Sequence, residues 1–191
     1  MTYALGHFRI LAAEKLQYER FRHTIGVEVW AGYLAKKHGI DEESAELAAL
    51  THDIAKQYPL QEQLEKAKEW NLIYYPEDLE NPQVIHGRVA AYILRNEFMI
   101  DNEDILNAVA NHTLGRPGMS LLEMLIYSAD LTEPGREFPG VDKLRQKLYY
   151  DLKEGTFACV EHTLKYLEES CKAIHPLTFL TYSDLKEKLK T

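Results

Sequence analysis

The stretch ESAELAALTHDIAK, residues 43–56, decides how the chain is read. Ala45, Ala48 and His52 repeat at three- and four-residue spacing, the period of one helical face. This alanine- and leucine-rich run ends by carrying a histidine, an aspartate and a lysine to the edge of its own core. Helical periodicity continues on both sides, predicting helices at about 4–14, 18–38, 42–54, 59–70, 82–97, 102–112, 120–131, 141–152, 155–173 and 177–189. No run alternates with the period of a strand, so the expected class is all-α, a helical bundle. Asp41 after Gly39 reads as an N-cap, Asn81 and Pro82 as an N-cap followed by a first-turn proline, and SLLE at 120–123 as a capping box. The TLGRPG turn at 113–118 separates two helices that would otherwise be continuous.

With 191 residues the chain is long enough for one substantial core, and a single domain is expected. The N-terminus lacks the basic start and apolar run of a signal peptide, and no segment approaches the roughly 20 apolar residues that span a bilayer. A soluble cytoplasmic protein with no membrane partner is the expectation. Cys159 and Cys171, the two cysteines, lie on one predicted helix about 18 Å apart by helical rise, beyond disulfide reach. They fit free thiols in a reducing compartment. A formal net charge of -8 argues against a nucleic-acid partner, so an anionic ligand needs local help from a metal or a few placed bases.

His23 extends the stripe of Val27, Trp30 and Leu34, and His86 leads Ala90 and Ile93. His112 follows Ile105, Ala108 and Val109, while Asp130 follows Leu122 and Ile126. Asp53, next to His52, turns toward the same pocket if it lies at a helix end. One histidine on an apolar face is ordinarily a hydrogen-bonded core residue. Six ionisable groups facing one interior are prohibitive unless they satisfy one another, because each costs several kcal/mol when buried alone. A shared metal ion does so: carboxylates supply charge, imidazoles supply nitrogen, and the cation offsets their desolvation. The set contains no cysteine, which suits iron, manganese, nickel or zinc, with magnesium a further alternative, better than a thiophilic ion.

The order H…HD…H…H…D, formed by His23, His52, Asp53, His86, His112 and Asp130, resembles the HD-domain superfamily of metal-dependent phosphohydrolases. Longer words are similar to the YqeK family of symmetrical diadenosine tetraphosphatases: RFRHTIGVEVWAGYLAKKHGID (20–41), AALTHDIAK (48–56), VIHGRVAAYIL (84–94), ILNAVANHTLGRPGMSLLEMLIYSADLTEPGR (105–136) and GVDKLRQ (140–146). The resemblance covers about residues 17–173. It implies an HD-domain bundle whose metal-site core is at about 17–140, with C-terminal helices at about 141–191 packed on it. It also implies cleavage of diadenosine tetraphosphate into two ADP, by a metal ion, iron, held by His23, His52, Asp53 and Asp130. His86 and His112 then face the phosphates or complete a second metal site. Arg20, Lys56, Thr113, Gly115, Glu133 and Arg136 fall in the family's nucleotide-facing words, together with His86, His112 and Asp130. The candidate catalytic residues are Asp53, Asp130, His86, His112 and Lys56.

Spacing supports parts of this. Lys56 lies at i+4 from His52, Arg20 at i-3 from His23, and Arg136 follows a Glu-Pro-Gly turn soon after Asp130. Arginine forks match phosphate geometry. The Thr113 hydroxyl and the amides around Gly115 are expected to receive a phosphate or sugar oxygen. Either Asp53 or Asp130 would take the proton from the attacking water. From the residues alone the alternatives stay open: another HD-type hydrolase of dNTP, dNMP or a signalling nucleotide, or a nucleotide sensor that does not hydrolyse. Adenine and guanine nucleotides, with ADP or GDP as product, are not distinguished. A tyrosine-rich C-terminal surface suggests a homodimer.

Overall fold

A computed structural model describes residues 3–190. Its α-helices, in chain order, are α1 (Leu5–Lys15), α2 (Tyr18–His38), α3 (Glu42–Thr51), α4 (Leu60–Glu69), α5 (Glu77–Glu80), α6 (His86–Glu97), α7 (Glu103–Asn111), α8 (Leu121–Thr132), α9 (Val141–Tyr150), α10 (Leu152–Glu169) and α11 (Pro176–Lys188). No strand occurs among the described residues, as the all-α expectation requires.

Local chemistry sets the helix ends. Lys36, Lys37 and His38 complement the dipole in the last turn of α2, and Gly39, at φ 68°, stops the helix in the left-handed conformation that favours glycine. The Asp41 carboxylate accepts from the Ser44 amide at 2.8 Å and starts α3. Ser120 and Glu123 close the expected capping box on α8. Leu122, Met124, Leu125, Ile126, Tyr127 and Ala129 of α8 are all buried, so this helix is apolar nearly all round and must lie inside. It touches α2, α3, α7, α9 and α10. In the C-terminal part, α10 packs on α8 and α9, and α11 packs on α10.

Several boundaries differ from expectation for physical reasons. The helix expected to run to residue 54 ends at Thr51, and the backbone turns at Asp53 (φ -104°, ψ 8°) into a separate 3-10 turn, Ile54–Gln57. Pro82–Val84 is likewise a 3-10 turn, the Asn81 side chain caps nothing, and α6 begins only at His86. The short α5 was not anticipated. It is pinned by the buried Asp78, which accepts from the Tyr74 and Tyr75 amides and from both terminal nitrogens of Arg88. Cys159 is buried, Cys171 is exposed beyond α10, and both are free. Among the described residues no helix is long and apolar enough to cross a membrane.

Candidate metal and phosphate site

Helix ends converge on the site. His52 caps the C-terminus of α3, His112 caps that of α7, and His86 is the first residue of α6, while His23 and Asp130 project from within α2 and α8. Each terminal histidine donates its Nδ1–H to a carbonyl three residues earlier: His52 to Ala49 (2.6 Å), His86 to Gln83 (2.7 Å) and His112 to Val109 (2.8 Å). That bond fixes the tautomer, so every Nε2 presents a lone pair to the interior, as metal-ligating histidines do.

The lone pairs meet carboxylates. His23 Nε2 lies 3.0 Å from Asp130 Oδ1, and His52 Nε2 lies 3.4 Å from Asp53 Oδ2 and 4.0 Å from Asp130 Oδ1. His86 Nε2 lies 3.2 Å from Asp53 Oδ1 and 2.9 Å from His112 Nε2. Two lone pairs cannot face each other at such distances unless a cation or a proton lies between them. His23 Nε2, His52 Nε2 and Asp53 Oδ1 are buried with no directed hydrogen bond among the described residues. Among the described residues two groups bring ligand atoms close enough for one ion: His23, His52 and Asp130, and His52, Asp53 and His112. Nitrogen and oxygen donors with orphaned lone pairs fit a divalent metal ion.

The electrostatics of the cluster favour a cation at its centre. Burial disfavours charge on His52, yet the Asp53 and Asp130 carboxylates outweigh it and raise its pKa, toward a proton standing where an ion would stand. Burial also opposes ionisation of Asp53, but His52 and His86 hold its carboxyl well below the usual range. Asp130 is held low too, by His23 and His52 against its burial. Burial, reinforced by His86 and His52, pushes His112 down to about 3, leaving it neutral.

Cations ring the cluster. Arg20 reaches Asp53 Oδ2 at 2.9 Å, Lys56 reaches Asp53 Oδ1 at 3.0 Å, and Arg136 reaches Asp130 Oδ1 at 2.9 Å. Lys56 acts from its own 3-10 turn rather than from the end of α3. Thr113 Oγ1 stands 3.2 Å from His112 Nε2 and 3.4 Å from His86 Nε2. Two expected nucleotide-facing residues are placed otherwise. Gly115 is buried, its amide is taken by the Asn111 carbonyl at 2.8 Å, and a Cβ there would meet Thr181. Its amide is therefore not open to a phosphate. Glu133 is buried, with Oε1 3.2 Å from His23 Nδ1 and Oε2 accepting from the Gly135 amide at 2.5 Å. A carboxylate in that place orients His23, and it would repel an anion.

Two cavities adjoin the cluster. One, of about 460 Å³, is lined by His112, Thr113, Asp130, Phe138, His162 and Tyr166 among others. Phe138 and His162 stack there, 4.6 Å between ring centres. The other, of about 290 Å³, is lined by Arg20, Arg22, His23, Glu133 and Arg136 among others. Sequence reasoning missed Arg22, Phe138, His162 and Tyr166. The i, i+4 spacing of His162 and Tyr166 on α10 was a usable signal, since it puts both on one face.

The HD domain family matches residues 20–135. Over 89% of this chain and 91% of its own length, a Bacillus subtilis protein named bis(5'-nucleosyl)-tetraphosphatase, symmetrical, is 39% identical. A Halalkalibacterium halodurans protein of the same name is 39% identical over 92% of this chain and 93% of its own length. The crystal structure of a Clostridium acetobutylicum protein, described as a predicted HD superfamily hydrolase involved in NAD metabolism, superposes with a TM-score of 0.92 at 34% identity, covering 98% of this chain and all of that one. The convergent His and Asp side chains, the match to the HD model and the relatives together show that the chain belongs to the HD-domain family, in its YqeK-type branch of symmetrical bis(5'-nucleosyl)-tetraphosphatases.

Proposed function

We propose that this protein is a metal-dependent hydrolase that splits diadenosine tetraphosphate symmetrically into two ADP. The observation that carries this reading is the buried cluster of His23 Nε2, His52 Nε2 and the Asp53 and Asp130 carboxylates beside two cavities, in a chain so similar to symmetrical tetraphosphatases. His23, His52, Asp53 and Asp130 hold the ion, iron in our assignment, with manganese, nickel, zinc and magnesium as alternatives. When bound, the ion polarises a phosphoryl oxygen and lowers the pKa of water. His86, His112 and Thr113 bind the scissile phosphates, and a second ion at His86 and His112 is the variant of this arrangement. Arg20 and Lys56 hold Asp53 in place from its two oxygens. Asp130 is our proton acceptor: its recorded contacts all fall on Oδ1, whereas both oxygens of Asp53 are held by cations. Arg136 steadies the bridging phosphates, and the Phe138 and His162 stack fits a nucleobase.

The partner is thus a dinucleoside polyphosphate, and free thiols accord with a reducing cytoplasm. A homodimer would cover the exposed Val29, Tyr33 and Tyr150. Metal quantitation of the purified protein with chromatography of the products tests the reading. ADP as sole product supports it; AMP plus ATP, or no turnover by metal-loaded protein, overturns it.

A further inference from the structure

In-line displacement at phosphorus sends one ADP half away opposite the attacking water while the other half stays on an equatorial oxygen of the same phosphorus, so the two halves of a symmetrically cut tetraphosphate extend from it in different directions. The site has a cavity for each direction. His23 lines one and Asp130 the other, the two side chains touch at 3.0 Å, and Arg136 lines both. Phe138, His162 and Tyr166 make one cavity aromatic, whereas the other is walled by Arg20, Arg22 and Arg136 together with Glu19 and Glu133, the Glu133 oxygens being turned onto His23 and the Gly135 amide.

These three arginines are not equivalent. Arg20 is committed to Asp53 and Arg136 to Asp130, each at 2.9 Å. Arg22 pairs with Glu19 at 3.2 Å, both side chains 60% or more exposed, a contact that contributes little. Its guanidinium also lies 5.9 Å from the ring centre of Tyr18. Arg22 is therefore the cation in this cavity least committed to a carboxylate, and an incoming phosphate has only the exposed Glu19 pair to displace.

Resting on the function proposed above, we infer that the arginine-walled cavity is the subsite for the second ADP half of the substrate, and that Arg22 binds its phosphates. A mononucleotide fills the aromatic cavity and leaves Arg22 unused. A dinucleoside tetraphosphate engages both, so Arg22 is a specificity residue for two-headed substrates.

Steady-state hydrolysis of diadenosine tetraphosphate by the full metal-loaded chain is compared with competitive inhibition by ADP. Arg22→Ala raises KM for the tetraphosphate about tenfold, the worth of one charge-assisted hydrogen bond, and moves the ADP inhibition constant less than about twofold. Lys36→Ala removes the same charge from an exposed position roughly 21 Å along α2, and it shifts neither constant. A parallel rise in both constants, an unchanged KM, or an equal effect of Lys36→Ala overturns the subsite. ADP production by the wild type with indifference to Arg22 sinks the subsite alone. No ADP production by the wild type removes the functional proposal and the subsite with it.

Discussion

Glu133→Gln is the substitution that most directly tests how the metal site is held. Each oxygen of Glu133 faces an N–H: His23 Nδ1 at 3.2 Å and the Gly135 amide at 2.5 Å. Glutamine has the same shape and one acceptor where glutamate has two. If its NH2 turns to Gly135, two donors collide and the turn carrying Arg136 must open. If it turns to His23, the imidazole must accept at Nδ1, which moves its proton to Nε2 and removes the lone pair aimed at Asp130. Gly26 makes the space for this carboxylate, because a Cβ at that position would overlap Glu133 Oε2, so the side chain lies close against α2. Either outcome weakens a ligand through its orienting partner, and such losses run to about 10–100-fold in metal affinity, or roughly 1.4–2.7 kcal/mol. Competition with a chelator of known affinity measures this on purified protein, independently of turnover. Metal affinity within about twofold of wild type would refute the orienting role and return Glu133 to the nucleotide-facing set.

Other perturbations probe the scaffold. Asp78→Ala strands the buried Arg88 and the Tyr74 and Tyr75 amides, and should cost about 3–5 kcal/mol in denaturant unfolding; a loss below about 1 kcal/mol contradicts the account. Burial works against the Asp78 carboxylate, but Arg88 and the Tyr75 and Tyr74 amides hold its pKa below the ordinary 3.8. Its contribution is therefore present above that pH and lost as pH falls through the depressed folded value, so the stability gap between wild type and Asp78→Asn should narrow in acid and stay wide at neutrality. Gly115→Ala forces a side chain into φ 67° and against Thr181, and should lower stability by about 1–3 kcal/mol; an unchanged melting temperature would show that α11 is not packed there. Restoring metal at a hundred times its Kd to chelator-treated protein should add about 2.7 kcal/mol, roughly 5–11 °C in Tm, and no shift would mean that no ion binds the native state.

Features legible in the sequence were those written in neighbouring residues. Asp41 and the Ser120–Glu123 box could be recognised because a cap and its amides lie within three positions. Asn81 shows the limit of that logic. An Asn-Pro pair is compatible with an α-helical start, but here the chain first makes a 3-10 turn. The reason lies elsewhere in the chain: Asp78 gathers Arg88 from α6 and lies 3.2 Å from His175 at the start of α11, partners 10 and 97 positions away. No local pattern contains that ion pair. The helical stripes located His52 and His112 and set His112 at a helix end, but they ran the helix under His52 on to residue 54; its end at Thr51 lets Asp53 leave the helical path and face the same interior as His52.

Charge was the second thing the sequence could state only as a total. A net charge of -8 disfavours a tetraphosphate ligand, yet the cluster is locally balanced: Asp53, Asp130 and Glu133 are met by Arg20, Lys56 and Arg136. Arg20 reaches Asp53 from another helix and Arg136 reaches Asp130 around a turn, so spacing could suggest these cations and could not pair them; Lys56 meets Asp53 locally, at i, i+3 within one 3-10 turn. Balance has a consequence. A divalent ion entering a neutral cluster leaves a surplus of positive charge at the wall shared by two cavities, and low-dielectric surroundings keep that surplus from being screened as it would be in water. The acidic remainder of the surface then works as a selector: it repels polyanions everywhere except at the metal-loaded cleft. On this account apo-protein should bind diadenosine tetraphosphate far more weakly than metal-loaded protein, with an ionic-strength dependence confined to the loaded form. Calorimetric titration at two salt concentrations decides it, and equal affinity with and without metal would mean that the arginines alone recognise the phosphates.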